Sequence, residues 1–250
     1  MSASHFQKKV RRWHRWLGLI LGIQFFLWTF GGLYFSWTSI DEIRGDDLKK
    51  PLPLLLPDSA VCSPAKALLA AQQGDTAAFP EKIQLVSING ALTYQILFRK
   101  HHTQARLVDA HTGLLRPPLS KAEATQIAID AISVTAEVER IDYIDSTGPH
   151  HEYREKPLPA WSITFGAPAN TTVYVSAAQG TVQSLRNNQW RIFDFLWMLH
   201  TMDYSERDNI NNWALRIFSA AGLAAILSGM TLFFITTPRF RKKQQKKNKA

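Results

Sequence analysis

The side chains of this chain that could do chemistry are its eight histidines. The sequence contains no G-x-S-x-G nucleophile motif, no zinc-binding H-E-x-x-H and no phosphate-binding glycine loop. His101–His102 and His150–His151 are pairs of neighbours, and neighbours on a strand point to opposite faces, so neither pair easily chelates one metal ion. We interpret these four residues as surface residues. His111 lies in a predicted turn and is interpreted in the same way. Contact of one pair with a ligand is the alternative.

Two other histidines, His14 and His200, lie beside long uncharged stretches, and an ionisable residue at membrane level needs a physical reason. His14 shares a helical face with Gly18 and Gly22, at spacings of four residues. The glycines either allow close helix packing beside an interfacial cation, or they make room for a flat macrocycle whose iron His14 binds. Segment 190–204 can form an amphipathic helix, and the alternative role of His200 is to face lipid headgroups from it.

Two uncharged stretches are long enough to cross a membrane. Residues 17–40 contain no charged side chain, and as a helix they extend about 36 Å against a hydrocarbon core of about 30 Å. Residues 217–237 form the second stretch. The first stretch ends in the bulky Tyr34, Phe35 and Trp37 instead of a small-residue cleavage site, which favours a retained anchor over a signal peptide.

The net charge of +9 is concentrated in the two terminal segments. Residues 1–15 carry five basic side chains and residues 239–250 carry seven, without any acid, while the rest has 17 Lys+Arg against 20 Asp+Glu. Positive flanks stay in the cytoplasm, so both termini are predicted to be cytoplasmic and residues 41–212 periplasmic. This distribution argues against nucleic-acid binding. The single cysteine, Cys62, excludes an intrachain disulfide and a cysteine-ligated metal cluster.

The segment between the spans contains an internal repeat. Residues 94–98 match residues 161–165 at an offset of 67, and Ser63 matches Ser120 at an offset of 57. Each serine begins a predicted helix, the first with Pro64 behind it and the second in a capping box. The strands predicted to follow are 82–88, 92–99, 104–110 and 114–116 in the first copy, and 138–144, 160–166, 171–177 and 181–185 in the second.

The change of offset places about ten additional residues in the second copy, within Asp145–Pro159. The insertion lies between two predicted strands, where binding functions are often added to a fold. A solvated loop is the simpler interpretation, and a recognition loop is the alternative. Gly113 and Gly180 are predicted to occupy turns that require a positive φ.

The chain resembles the PepSY-associated transmembrane proteins over nearly its whole length. The resemblance is carried by the H-R-W-L-G-L sequence at 14–19, by the duplicated PepSY-like units with V-D-A-H-T-G at 108–113, and by L-H-T at 199–201. Members of that family include inner-membrane ferric-siderophore reductases that carry b-type haem on membrane histidines. The resemblance therefore implies that His14 and His200 are haem ligands, although those reductases have twice as many spans.

The sequence thus predicts a membrane α+β protein, in which two transmembrane helices bracket a periplasmic tandem of PepSY-like units. The predicted parts are a basic cytoplasmic N-terminus (1–16), transmembrane helix 1 (17–40), PepSY-like unit 1 (41–118), PepSY-like unit 2 (119–188), a membrane-surface helix and linker (189–212), transmembrane helix 2 (213–237) and a basic cytoplasmic tail (238–250).

Two functions are consistent with this layout. The first is b-haem-dependent electron transfer across the inner membrane, to a periplasmic ferric chelate such as a siderophore, with His14, His200, Gly18 and Gly22 at the cofactor. With this function the protein could be a ferric reductase. We then expect a homodimer or another membrane subunit, because each histidine needs a second axial ligand. The second function is a non-enzymatic, membrane-anchored PepSY module that restrains a protease or assists the assembly of a partner protein.

Overall fold

The computed structural model describes residues 3–51, 60–73, 79–99 and 101–237, without the side chains of residues 3–7 and 101–104. His101 and His102 therefore lie outside the described side chains. The helices are α1 (Ala3–Trp37), α2 (Ile40–Arg44), α3 (Pro64–Ala71), α4 (Lys121–Ala131), α5 (Asn188–Thr201) and α6 (Trp213–Thr236), with a 3-10 helix at Asp46–Leu48. The strands are β1 (Pro80–Ile88), β2 (Ala91–Phe98), β3 (His101–Asp109), β4 (Leu115–Arg116), β5 (Val138–Ile144), β6 (Ala160–Phe165), β7 (Thr171–Ser176) and β8 (Val182–Arg186).

The chain divides into two compact units. The helical unit contains residues 1–37 and 194–250, and the β unit contains residues 38–193. Two helices of the helical unit, over Lys8–Trp37 and Trp213–Thr236, are long and apolar enough to span a membrane. Most of their apolar side chains face outward, as expected of helices surrounded by lipid.

Helix α1 ends at Trp37, so the predicted extension of the first span to Ile40 is wrong. Ser39 has an extended backbone, and its side-chain oxygen accepts a hydrogen bond from the backbone N–H of Asp41. This contact makes Ser39 the N-cap of α2, so Ile40 begins a new helix. Helix α6 ends at Thr236, one residue before the predicted end of the second span at residue 237.

Helices α1 and α6 pack against each other in antiparallel directions. Phe25 lies against Gly222 and Phe218, and His14 lies against Gly229. The small residues of α6 at 221, 225 and 229 are half-buried on the side of the helix that packs on α1. Gly18 and Gly22 differ, because both are exposed and a Cβ added to either would meet no atom within 4 Å.

The first sheet of the β unit is antiparallel in the order β1-β2-β3-β4. A two-residue turn joins β1 to β2, with positive φ at both Asn89 and Gly90. Helix α3 covers one face and begins at the predicted Ser63 cap, with Pro64 in its first turn. The core of this layer is formed by the buried apolar residues Ala67, Ala70, Ala71, Tyr94, Ile96, Phe98, Val108 and Ala110.

The second sheet repeats this arrangement in the order β5-β6-β7-β8, with α4 against one face. The predicted capping box of α4 is present, with Ser120 and Glu123 each bonded to the backbone N–H of the other. The predicted positive φ is also found at Gly113 (73°) and Gly180 (70°). The predicted strands of both copies therefore agree with the structure to within a few residues.

One buried hydrophobic cluster, the shared core, joins the two copies. Ile88 and Leu107 from the first sheet belong to the same buried cluster as residues of α4 and the second sheet. Those second-copy members are Ala124, Ala128, Ile163, Phe165, Val173, Val175 and Leu185. In addition, the buried side chain of Gln95 donates to the carbonyl of Gln179 across the two sheets. The tandem is thus one packed body.

The segment that follows α1 packs on the second copy, although the predicted boundary at residue 41 assigns it to the first. The Nδ2 of Asn187 donates to the carbonyl of Glu42 over 2.8 Å. Gly45, at a φ of 67°, lies so close to Leu185 that an added Cβ would be 3.3 Å from its side chain. The chain therefore enters and leaves the β unit at neighbouring points.

Candidate functional site

His14 is half-buried in the helical unit and is held by α6. Its Nδ1 lies 2.8 Å from the Oγ of Ser228. The single proton of Ser228 Oγ is donated to the carbonyl of Ala225 over 2.8 Å. Ser228 Oγ is therefore the acceptor in its contact with His14, and Nδ1 of the imidazole carries a proton.

This assignment leaves the Nε2 of neutral His14 with a lone pair, which is the form that can bind a metal. None of the described residues forms a hydrogen bond to that atom. Metal-ligating histidines usually donate their other ring N–H to a fixed acceptor, as His14 does to Ser228. Gly229 provides clearance, because a Cβ at this residue would lie 3.0 Å from the Cε1 of His14.

His200 lies in an aromatic environment. Its ring is stacked at 6.1 Å on Trp197, which precedes it by three residues in α5. It also lies 5.4 Å from the ring of Trp28 and 6.2 Å from that of Phe35. The ring is exposed, and no hydrogen bond from the described residues orients it.

His14 and His200 occupy opposite ends of the helical unit. His200 lies beside Trp28, and residues 14 and 28 of α1 are about 21 Å apart at 1.5 Å per residue. The two imidazoles of one chain therefore cannot bind a single iron. Among the described residues there is also no group of three or more histidine, cysteine or acidic side chains that could hold a metal ion.

A second candidate site is a polar groove of about 580 Å³ in the β unit. Residues 161, 163 and 165 of β6 point into or pack against the shared core, so the side chains of Ser162 and Thr164 point to the opposite face. Thr172 and Tyr174 lie beside them on β7 in the register of the sheet. The floor of the groove therefore consists of hydroxyl groups from neighbouring strands.

The insertion at 145–159 forms one side of this groove, which corrects the prediction of a solvated loop. Tyr153 is completely buried and stacks on Tyr174, with ring centroids 4.7 Å apart. The pKa of Tyr174 is raised, first by burial and second by the neighbouring carboxylate of Glu152, to which its hydroxyl donates over 2.7 Å. The insertion is thus anchored by packing and by a buried hydrogen bond.

Arg191 of α5 closes the other side. Its guanidinium forms a two-pronged ion pair with Glu152, over 2.9 and 3.1 Å, and it also donates to Thr172 Oγ1. His151, predicted to be a surface residue, instead lies half-buried in the lining. Its Nδ1 accepts the backbone N–H of Tyr153, so the neutral ring presents its other nitrogen as an N–H donor.

Of the remaining histidines, the two whose side chains the structure describes, His150 and His111, follow the prediction. Both side chains are exposed. His111 lies in the turn organised by Asp109, whose carboxylate accepts the backbone N–H groups of Thr112 and His111. These bonds lower the pKa of Asp109, with the Thr112 N–H as the largest cause and burial opposing it. The conformation of this turn is therefore explained by hydrogen bonds between Asp109 and the backbone of the turn itself.

The sequence did not identify Ser228, Glu152 or Arg191 as functional residues. Ser228 is one of several hydroxyl side chains in α6, which is a weak signal because serines are common in membrane helices. Glu152 and Arg191 are 39 residues apart, and no local pattern relates them.

A family model described as the PepSY-associated TM region matches residues 11–250. No curated protein and no solved structure matches the chain significantly.

Proposed function

Because the chain belongs to the family of PepSY-associated transmembrane proteins, we propose that it is an inner-membrane haem protein. In this proposal a homodimer binds b-type haem through His14 and His200 and passes electrons to a ferric chelate, such as a siderophore, in the periplasm. Both termini are cytoplasmic, and the β unit is periplasmic.

The observation that supports haem binding is the proton assignment at His14. Ser228 accepts from Nδ1 because its own proton is bonded to Ala225, and Nε2 is left free to bind iron. Ser228 thus holds the ring in one tautomer and one orientation, and Gly229 keeps space for it. Bound haem supplies one-electron chemistry, which protein side chains lack.

The glycine pair beside His14 fits the same role. Gly18 and Gly22 lie next to the helix contact without entering it, and their surface is open. A flat macrocycle or a second copy of α1 can approach the backbone at this surface.

Two copies are required by the geometry of the histidines. His14 and His200 are too far apart to bind one iron, and low-spin b-type haem takes two axial side chains. Pairing His14 with its counterpart in the partner, and His200 likewise, supplies two ligands at each end. His200 supports the proposal less directly, because its ring is positioned by aromatic contacts with Trp28, Phe35 and Trp197 alone.

Absorption spectra of the full chain, purified from haem-replete cells, test this function. We expect a Soret band in the wild type, about half of the haem per protomer in His14→Ala and in His200→Ala, and none in the double variant. His111→Ala is the matched control, since His111 is exposed in the β unit. Wild-type protein without a Soret band contradicts the proposal.

A second candidate function is the non-enzymatic, membrane-anchored binding module. It is supported by the insertion, which is folded over the second sheet and forms the wall of a groove. Complementation of a deletion strain by the haem-free double variant favours this function over electron transfer.

A further inference from the structure

The groove on the second sheet is a polar site that is separate from His14 and His200. Its floor contains one hydroxyl that serves no protein contact. Ser162 is only 5% exposed and lines the groove, yet its hydroxyl forms no hydrogen bond to any described residue. Because the hydroxyl oxygen itself still reaches solvent, it can form a hydrogen bond with a group that enters the groove.

The other hydroxyl groups of the floor are connected to each other. Thr164 and Thr172 are 3.1 Å apart at their side-chain oxygens, Thr172 accepts from Arg191, and Tyr174 donates to Glu152. This network holds the floor rigid around the free hydroxyl of Ser162. A ligand therefore meets a preorganised surface.

Four of the five Asp, Glu and Arg side chains of the lining are paired with each other. Arg191 is paired with Glu152, and Arg140 is paired with Asp142 over 2.8 Å on the edge strand β5. Of the charged lining residues, Glu139 stands outside these two pairs. An anionic ligand would have to compete with a carboxylate at either arginine, whereas a neutral hydrogen-bonding ligand can contact both members of a pair.

Donors and acceptors for such a ligand stand side by side in the groove. The ring N–H of His151 is a donor, since its other nitrogen accepts from Tyr153. The carboxylate of Asp142 is an acceptor that is 47% exposed, and the Ser162 hydroxyl can do both. Ligand hydroxyl groups, which also donate and accept, match this lining.

We propose that the groove bounded by the insertion and α5 binds a neutral polyhydroxylated ligand, a saccharide, through the Ser162 hydroxyl, Asp142 and the His151 ring N–H. The volume of about 580 Å³ lies in the range of small-molecule sites. The inference goes beyond electron transfer and is independent of haem, because all of its residues belong to the β unit.

The test is saturation-transfer NMR on the full chain in nanodiscs, because maltoside detergents carry a sugar headgroup. Cellobiose, maltotriose and chitobiose are the saccharide probes, with trialanine as a zwitterion and citrate as an anion. We expect transfer to at least one saccharide, and none to trialanine or citrate.

Two variants locate the binding site. Ser162→Ala removes a hydroxyl with no protein partner, so folding is preserved and saccharide affinity falls about fivefold, the value of one hydrogen bond. Asp142→Asn gives a second, independent loss of affinity. Ser184→Ala is the matched control, because Ser184 lies on the same face in register with Tyr174, is buried and unbonded, and does not line the groove.

Three results overturn the proposal. One is the absence of transfer to every saccharide at millimolar concentration. Another is saccharide binding that neither Ser162→Ala nor Asp142→Asn weakens. The third is binding of trialanine or citrate that both variants abolish, which would assign the groove to a different class of ligand. None of these results affects the Soret spectrum that tests the haem function.

Discussion

Gly229 of α6 lies directly against the ring of His14, such that a β-carbon at residue 229 would be 3.0 Å from the Cε1 of the imidazole. This distance is shorter than an ordinary van der Waals contact, so any larger residue must displace the ring. The relationship joins residues 215 positions apart and limits the space available to the ring of His14, the proposed haem ligand.

The first prediction concerns this clearance. Gly229→Ala should push the His14 ring away from Ser228 and lower haem occupancy by about tenfold, the lower end of losses caused by disturbing the support of a metal ligand. Haem per protomer in the purified protein measures the effect. Gly32→Ala is the control in the same unit, since an added Cβ there meets nothing within 4 Å. Equal haem in Gly229→Ala and wild type contradicts the placement of iron at His14.

The second prediction concerns the tautomer. Ser228→Ala removes the acceptor of the His14 Nδ1–H, so the ring can turn and haem affinity should fall by about 10- to 100-fold. Haem titration of the apoprotein gives this affinity. Thr231→Ala is the matched change, because the Thr231 hydroxyl is bonded only to the carbonyl of Leu227 in its own helix and is exposed. The same loss in both variants would indicate a general effect on α6.

The third prediction concerns topology. The basic residues that flank the two spans predict that both termini are cytoplasmic. A reporter fused after Ala250 should behave as cytoplasmic, and one inserted beside the exposed Gly148 should behave as periplasmic. The opposite behaviour at either position would exclude the two-span arrangement.

The fourth prediction concerns the insertion. Tyr153→Ala removes a fully buried ring that stacks on Tyr174 and a hydroxyl that donates to the carbonyl of Pro157. The free energy of unfolding should therefore fall by about 3 kcal/mol. Thermal unfolding of the full chain measures the change. Tyr143→Ala should cost clearly less, because Tyr143 is 52% exposed. For the same reason, replacing the whole insertion with a turn like Asn89–Gly90 should destabilise the second sheet. A true solvated loop would tolerate this replacement.

The fifth prediction concerns acid stability. The backbone N–H of Ser120 is the main cause of a lowered pKa for Glu123, with burial opposing it and Arg116 assisting. A carboxyl with a lowered folded-state pKa stabilises the fold above its unfolded value of 4.5, and this contribution disappears as the pH falls through the folded-state pKa. The melting temperature of Glu123→Gln should therefore fall less steeply below pH 4.5 than that of the wild type.

Thermal unfolding between pH 6 and pH 3 provides the comparison for this acid-stability prediction. Glu137→Gln serves as the control, since Glu137 is exposed and bonded to none of the described residues. An unchanged pH profile in Glu123→Gln would mean that the carboxylate of Glu123 does not contribute to the stability of the fold.

Much of the fold could be predicted because its signals are local. The alternation in β5 and β6, the capping box at Ser120 and the positive φ at Gly180 all depend on a few neighbouring residues. The end of α1 at Trp37 was missed because Thr38 and Ser39 are uncharged, and hydropathy does not distinguish a cap from a span.

The candidate sites could be predicted only in part. His14 is recognisable because an ionisable group beside an apolar span is unusual. Its partner Ser228 lies 214 residues away, and the pairing follows from the packing of α1 on α6. The burial of Tyr153 likewise depends on Tyr174, which belongs to a strand beyond the insertion. Both contacts depend on long-range packing, which leaves no periodic pattern in the sequence.

The contact between Asn187 and Glu42 has a mechanical consequence. The β unit is preceded by α1 and continues into α5, and its two chain ends are joined by this hydrogen bond and by the fit of Gly45 against Leu185. Tension applied to the chain through α1 and α5 therefore acts on this junction before it reaches the strands.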